Sequence, residues 1–323
     1  MRLIRGFREL PVQPPRVAAI GNFDGAHLGH QAIFARVRER ARATGLPAAV
    51  ITFDPHPLQV LAPERAPKMI LTGAQKIEIL EQAGFDTLVL IPFDRSIAAV
   101  PAEEFVRAFL VQVLSLRELY VGVDFRFGRG RAGDLALLQR VGGPAGLTVE
   151  SVPTGSHAGE RISASRLREA LAAGDVAGAA AMMGRPYEAV GTVVRGAGRG
   201  KKQGSPTANL EVENGIVPAN GVYITDLQVC SAGQPGQDGG LPPAEGAAHE
   251  GLTNVGVRPT FESAGFAVET WLPGWSGDLY GRLVRLRFHE RIRSEQAFPS
   301  PDALRARIAL DLEALRAWQA RGR

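Results

Sequence analysis

The chain reads as an α/β domain with a parallel sheet, followed by a small β-barrel and a C-terminal helix. Three observations carry this reading. Near-continuous apolar runs alternate with helical patterns over the first ~184 residues, as expected for parallel strands buried on both faces. After Gly184-Arg185-Pro186 the texture changes to short strand-like runs separated by Gly and Pro. At the end, Leu304, Ile308, Leu310, Leu312 and Leu315 recur at helical spacing. A chain of 323 residues is long enough for two cores, and the expected division is 1–184 and 185–323.

In the first domain the spacing predicts strands over Val17 to Phe23, Ala48 to Phe53, Thr87 to Phe93, Leu119 to Phe125 and Thr148 to Val152. Helices are expected over Leu28 to Ala43, Gly73 to Ala83, Ala102 to Leu114, Asp134 to Val141 and Ser165 to Ala173. The second domain offers strands over Glu188 to Val194, Ala208 to Val212, Gly221 to Val229, Leu252 to Val257, Ala267 to Leu272 and Leu283 to His289. Between Ser231 and His249 a Gly/Pro/Ala-rich polar stretch predicts an exposed hairpin loop. Ser300-Pro301-Asp302 is a helix start.

Composition narrows the class. Hydrophobic residues make up 45%, and no stretch reaches the ~20 apolar residues of a membrane helix. The charged N-terminus lacks a signal-peptide apolar region, so a cytoplasmic location without membrane attachment is expected. A single cysteine, Cys230, excludes an internal disulfide and a cysteine metal cluster. The net charge of +4 suits polyanionic small molecules such as ATP, and no basic tract interleaved with aromatics argues for nucleic acid. Oligomeric state cannot be derived from these features.

The most informative run is Gly21-Asn22-Phe23-Asp24-Gly25-Ala26-His27-Leu28-Gly29-His30, between a predicted strand and a predicted helix. In an open α/β sheet, ligands sit outside the carboxyl ends of the strands, and a helix N-terminus there suits phosphate. Imidazoles at i, i+3 also occur on solvated faces; this frame favours His27 and His30 as donors to oxygens that gain charge as a phosphoryl-type bond breaks. Three further segments follow strand ends: Thr52 to Pro57, Val121 to Gly128, and Arg161 to Arg168.

His27-Leu28-Gly29-His30 resembles the HxGH signature of the nucleotidylyltransferase superfamily. The whole run is similar to the start of the prokaryotic bifunctional riboflavin kinase/FAD synthetases, and the three further segments match landmarks of that family in order. The resemblance implies an adenylyltransferase domain in which His27 and His30 stabilise the transition state at the ATP α-phosphate. It further implies that Gly21, Asn22, Phe23, Asp24, His56, Asp124, Ser163, Ser165 and Arg168 bind ATP, FMN or both. Ser163-Ala164-Ser165 departs from the usual Ser-Ser-Thr by one hydroxyl.

The second dense signal runs from Gly196 to Asn209. Its glycines, Gly196, Gly198 and Gly200, let backbone approach phosphates, and Lys201 and Lys202 supply charge. Thr207 and Asn209 offer hard oxygens of the kind Mg²⁺ accepts. Pro206-Thr207-Ala208-Asn209 resembles the PTAN motif of riboflavin kinases. Asn254 to Phe261, Val268-Glu269-Thr270, Asp278 to Gly281 and Arg291 to Phe298 are similar to further landmarks of that antiparallel barrel. The resemblance implies that Glu269 takes the proton from the riboflavin 5′-hydroxyl and that Arg291 helps bind the substrates. Gln203-Gly204-Ser205 replaces the usual Leu-Gly-Phe.

The function implied is phosphorylation of riboflavin to FMN and adenylylation of FMN to FAD, with Mg²⁺ and ATP. Two alternatives stay open at this point: a single-activity enzyme with one decayed module, and a flavin- or nucleotide-binding regulator without turnover.

Overall fold

The computed structural model describes residues 1–7, 9–196, 207–231, 239–257 and 266–322. The chain divides into two compact units, Met1–Ala164 with Gln237–Gly240, and Ser165–Gly236 with Leu241–Arg323.

The first unit is built on β1 (Arg2–Arg5), β2 (Arg16–Ile20), β3 (Ala48–Asp54), β4 (Thr87–Pro92), β5 (Leu116–Gly122) and β6 (Thr148–Val152). They form one six-stranded sheet in the order β1-β4-β3-β2-β5-β6, with every pairing parallel. The strand order reverses between β2 and β5, which opens the crevice at their carboxyl ends where α/β folds bind ligands. All five predicted strands are present. The edge strand β1 is an addition that its four residues, one of them buried, do not advertise.

The helices of this unit are α1 (Leu28–Thr44), α2 (Pro57–Leu61), α3 (Gly73–Gln82), α4 (Arg95–Ala98), α5 (Ala102–Glu104) and α6 (Leu135–Gly142). The helix expected over Ala102 to Leu114 continues from α5 as a π-helix, Phe105–Val113. Ile33, Phe34 and Val37 of α1 pack on β2 and β3 residues, while Val106, Phe109 and Leu110 fill the other face of the sheet. Arg40 pins α1 to β5 through a two-pronged pair with Glu118, at 2.9 and 2.8 Å, and Glu118 also accepts from the Tyr120 hydroxyl at 2.7 Å. A short hairpin, β7 (Ser156–His157) and β8 (Glu160–Arg161), follows the sheet.

In the second unit, α7 (Ala164–Ala173) and α8 (Val176–Met183) precede six barrel strands. These are β9 (Tyr187–Val194), β10 (Thr207–Val212), β11 (Gly221–Cys230), β12 (Ala244–Val257), β13 (Phe266–Trp271) and β14 (Leu283–Arg293). They close in the order β10-β13-β12-β11-β14-β9, antiparallel throughout. Part of the expected loop between Ser231 and His249 is strand instead: β12 begins at Ala244 and pairs Glu245 and His249 with Val229 and Leu227. Partner strand β11 supplies the hydrogen bonds that composition alone does not call for.

Inside the barrel the hydroxyls of Thr225, Thr253 and Thr270 form a chain with spacings of 2.7 and 2.8 Å, all three fully buried. Helix α8 packs on β9 and β14. The C-terminal helix α9 (Pro301–Ala320) starts at the Ser300 cap, as expected, and buries Leu315 against Ile224 and Leu252. Among the described residues no helix is long and apolar enough to cross a membrane.

Candidate active sites

The loop from β2 to α1 is held in an unusual conformation: Phe23 and Ala26 have φ of 50° and 40°, a region sparsely populated for residues with side chains. Three anchors stabilise it. The Asp24 carboxylate, 2% exposed, accepts from the backbone N–H groups of Ile70 and Leu71 at 3.1 Å. The Thr52 hydroxyl donates to the Asn22 carbonyl at 3.3 Å, and the Phe23 ring is buried edge-on to His30 and Phe34. Asp24 and Phe23 thus shape the loop from inside. A side chain at Gly29 would meet Thr154 at 2.9 Å, so only glycine lets α1 start this close.

His27 caps α1, its Nδ1 accepting from the His30 N–H at 3.3 Å. A neutral His27 in this arrangement carries its proton on Nε2. The two rings stack with centroids 3.7 Å apart and planes 17° from parallel. Burial first, then His27, then Lys76, holds the His30 imidazole well below its ordinary pKa, so it is neutral at pH 7. Lys76 is itself only 8% exposed; burial lowers its pKa, while Asp24 and Asp54 act the other way. It lines a cavity of about 140 Å³ with Thr52 and Asp54. Nothing in the local sequence singles out Lys76, which α3 carries in.

The other segments meet in pairs. The Asn22 carboxamide lies 3.2 Å from His56 Nε2, and His56 caps α2. Asp124 pairs with Arg161, whose hydrogen bond holds the carboxyl below its usual range. Gly21 directly follows β2, where a side chain would meet the Phe23 ring at 3.0 Å. Ser163 immediately precedes α7; the division between the units falls just beyond, and Ser165 and Arg168 stand on α7.

In the barrel, register places Asn209 and Asn254 on either side of Glu269, since β13 lies between β10 and β12. The carboxylate side chain is half-buried on the face opposite the threonine chain. Glu269, Thr207, Asn254 and Trp271 line a cavity of about 290 Å³, bounded also by Arg293 and by Leu304 and Ile308 of α9. Thr207 and Asn209 share one face of β10. A side chain on Gly196 would collide with the Asn209 carboxamide at 2.2 Å. Gly198, Gly200, Lys201 and Lys202 lie outside the described residues.

Arg291 is not among the residues that line this cavity. Its guanidinium donates to the carbonyls of Asn220 at 2.6 Å and Ala173 at 3.3 Å, and Arg293 is the arginine that lines the cavity. A bulge is the cause: Arg293 pairs with Val222 and Arg291 with the very next residue, Tyr223. Asn254, unmarked within its motif, and Trp271, just beyond Val268-Glu269-Thr270, are further cavity-lining residues; their signal is cross-strand and i, i+2 proximity to Glu269.

No cluster of three or more His, Cys, Asp or Glu side chains suited to a metal occurs among the described residues. Thr207 and Asn209 instead offer neutral oxygens, which fit Mg²⁺ when substrate phosphates complete its shell.

Residues 10–166 match the FAD synthetase family model, and residues 183–319 match the riboflavin kinase model. The bifunctional riboflavin kinase/FMN adenylyltransferase of Pseudomonas fluorescens is 38% identical, over 99% of this chain and 98% of that protein. The protein of the same description from Escherichia coli (strain K12) is 38% identical over 96% of each chain. Among solved structures, one titled as a macrolide-efflux protein from Streptococcus pneumoniae superposes with a TM-score of 0.85. It is 28% identical and covers 98% of this chain and 100% of that one.

Proposed function

The chain belongs to the bifunctional riboflavin kinase/FMN adenylyltransferase family, and we propose that the barrel performs its first reaction and the parallel-sheet unit its second. The protein is a transferase that phosphorylates riboflavin to FMN and adenylylates FMN to FAD, with ATP as co-substrate. We place the reactions along the chain as 185–323 for the kinase and 1–184 for the adenylyltransferase, in the cytoplasm and without nucleic acid.

In the kinase step the ribityl 5′-oxygen bonds to the γ-phosphorus of ATP as the bond to ADP breaks. The hydroxyl proton must leave, and Glu269, between two carboxamides that can orient it, is the base that accepts it. Gly196, with Gly198, Gly200, Lys201 and Lys202, is assigned to the ATP phosphates, and Thr207 and Asn209 to Mg²⁺. Bound there, Mg²⁺ would neutralise charge on the phosphates. Arg291 acts by tying the β14 end to neighbouring backbone rather than on substrate.

The adenylyl step needs no such base. The FMN phosphate has its second pKa near 6 and is mostly dianionic at pH 7, so its oxygen attacks the ATP α-phosphorus directly and pyrophosphate leaves. What this step requires is hydrogen-bond donation to the charge that moves onto the phosphate oxygens, the role of His27 and His30. Gly21, Asn22, His56, Asp124 and Ser163 are assigned to the surrounding site, with Phe23 and Asp24 shaping the loop beneath it. Ser165 and Arg168 are assigned to the triphosphate by the family pattern alone.

One observation carries this division of labour: a stacked pair of imidazoles, His30 held neutral by burial, stands in one unit, and a carboxylate flanked by carboxamides stands in the other. The test is chromatographic separation of flavins after incubation with Mg-ATP. The His27→Ala/His30→Ala double variant should convert riboflavin to FMN and stop there. FAD at the normal yield from that variant would sink the assignment.

A further inference from the structure

A single guanidinium stands where three parts of the barrel cavity wall meet. Arg293 ends β14, and its Nε and Nη2 grip both oxygens of Asp311 on α9 at 2.8 to 3.1 Å. Its Nη1 donates to the Ser294 carbonyl at 3.2 Å, at the start of the connector to α9. Its Cζ lies 5.7 Å from the centroid of the Phe298 ring, further along that connector. Glu295, Gln296 and Phe298 of the connector, and Leu304 and Ile308 of α9, all line the cavity that holds Glu269.

The rest of α9 is held differently. Leu312, Leu315 and Trp318 pack on the barrel through apolar contact, beyond the cavity. The first half of the helix faces the cavity, and Asp311 lies where the two halves join. Asp311 is 2% exposed, and Arg307 adds a second cation 3.3 Å from its Oδ1. Removing two charges from water costs about as much as their attraction returns, so such a pair is a poor device for stability alone. A two-pronged Arg–carboxylate pair does fix geometry, because the fork accepts the carboxylate in one orientation.

We propose that Arg293 is a positioning residue of the flavin site, clamping Asp311, the 294–299 connector and α9 into the wall against which riboflavin is seated. Arg293 acts through this wall and not on the reacting atoms. The inference rests on the reading of this cavity as the seat of riboflavin.

Kinetics of both steps test it. Asp311→Asn keeps the shape and removes the charge; Arg293→Lys keeps the charge and removes the fork. Each should raise the riboflavin KM about tenfold while kcat stays within about threefold. The ATP KM and the rate of FAD formation from supplied FMN should not change. A merely structural role would lower the active fraction, and hence kcat, with KM unmoved; that result overturns the proposal. Should both variants fail to fold, Phe298→Leu leaves the ion pair intact and should raise the riboflavin KM about threefold or more, an unchanged value again overturning it. Ile308→Trp fills the cavity and separates the two ideas. If it leaves the riboflavin KM unchanged, the cavity is not the seat and the clamp falls with it. If it abolishes binding while Asp311→Asn and Arg293→Lys behave as wild type, the clamp alone is wrong.

Discussion

At the scale of single residues, the two reactions ask for opposite things from their side chains. As the proposed base, Glu269 has to reach a hydroxyl and take its proton. Glu269→Gln keeps shape and hydrogen bonding but deletes basicity, so riboflavin phosphorylation should slow about 10²–10⁴-fold in kcat with KM much less affected. A rate within threefold of wild type would remove Glu269 from the mechanism. His30, by contrast, is held neutral, because burial first, then His27 and Lys76, lowers its pKa. Below its pKa the imidazole gains a proton, so a depressed pKa keeps His30 uncharged on the acid side of the ordinary imidazole range. Lys76→Met removes one of the lowering charges, and the acid limb of FAD formation should move to higher pH. Burial, the largest cause, remains, so the move is partial. A limb that stays in place would show that the Lys76 charge does not act on the reacting group.

At the scale of elements, helix starts and strand registers decide which groups meet. Ala164 opens α7 directly after Ser163, at a position where a hydroxyl could reach an anion bound at the helix start. Ala164→Ser should therefore lower the ATP KM of the adenylyl step, and an unchanged or raised KM would show that the position does not face ATP. In the barrel, the threonine chain ties β11, β12 and β13 together on the face opposite Glu269. Thr253→Val removes the middle hydroxyl at nearly constant shape and leaves two buried hydroxyls each short of a partner, a cost of about 1–3 kcal/mol. All three tryptophans, Trp271, Trp275 and Trp318, lie in the barrel unit, so their fluorescence during urea unfolding reports that loss selectively. An unchanged midpoint would mean that the chain of hydroxyls contributes nothing to the barrel.

At the scale of the whole molecule, contacts divide the chain between Ala164 and Ser165, while the two family models end and begin at residues 166 and 183. Helices α7 and α8 stand between the two models and pack with the barrel. Val176, Ala179, Met182 and Met183 of α8 are buried, and Arg291 uses the Ala173 carbonyl of α7. A fragment beginning at Ser165 should fold and make FMN but no FAD. One beginning at Arg185 should make FMN too, with a lower unfolding midpoint, because it strips the apolar face of α8 from β9 and β14. Equal midpoints would show that the two helices add nothing to the barrel, and FAD from either fragment would overturn the division of labour.

What could be read from the sequence alone was whatever is written locally. Apolar runs of strand length, the i, i+3 histidines after a strand, Thr207 and Asn209 two apart, and a capped amphipathic C-terminal helix each carry their signal within a few residues. So the parallel sheet and the six-stranded barrel were legible in the sequence alone. Tertiary structure decided the rest, because those features depend on partners far along the chain. Strand β1 and the first turns of β12 exist through hydrogen bonds that β4 and β11 supply. Asp24 faces inward because the amides of Ile70 and Leu71 await it there. The Lys76 charge acts on His30 only because α3 carries it there. A single bulge against β11 sends Arg291 to backbone carbonyls and brings Arg293 to the cavity. Local periodicity says which residues share a face; register and packing say what that face meets.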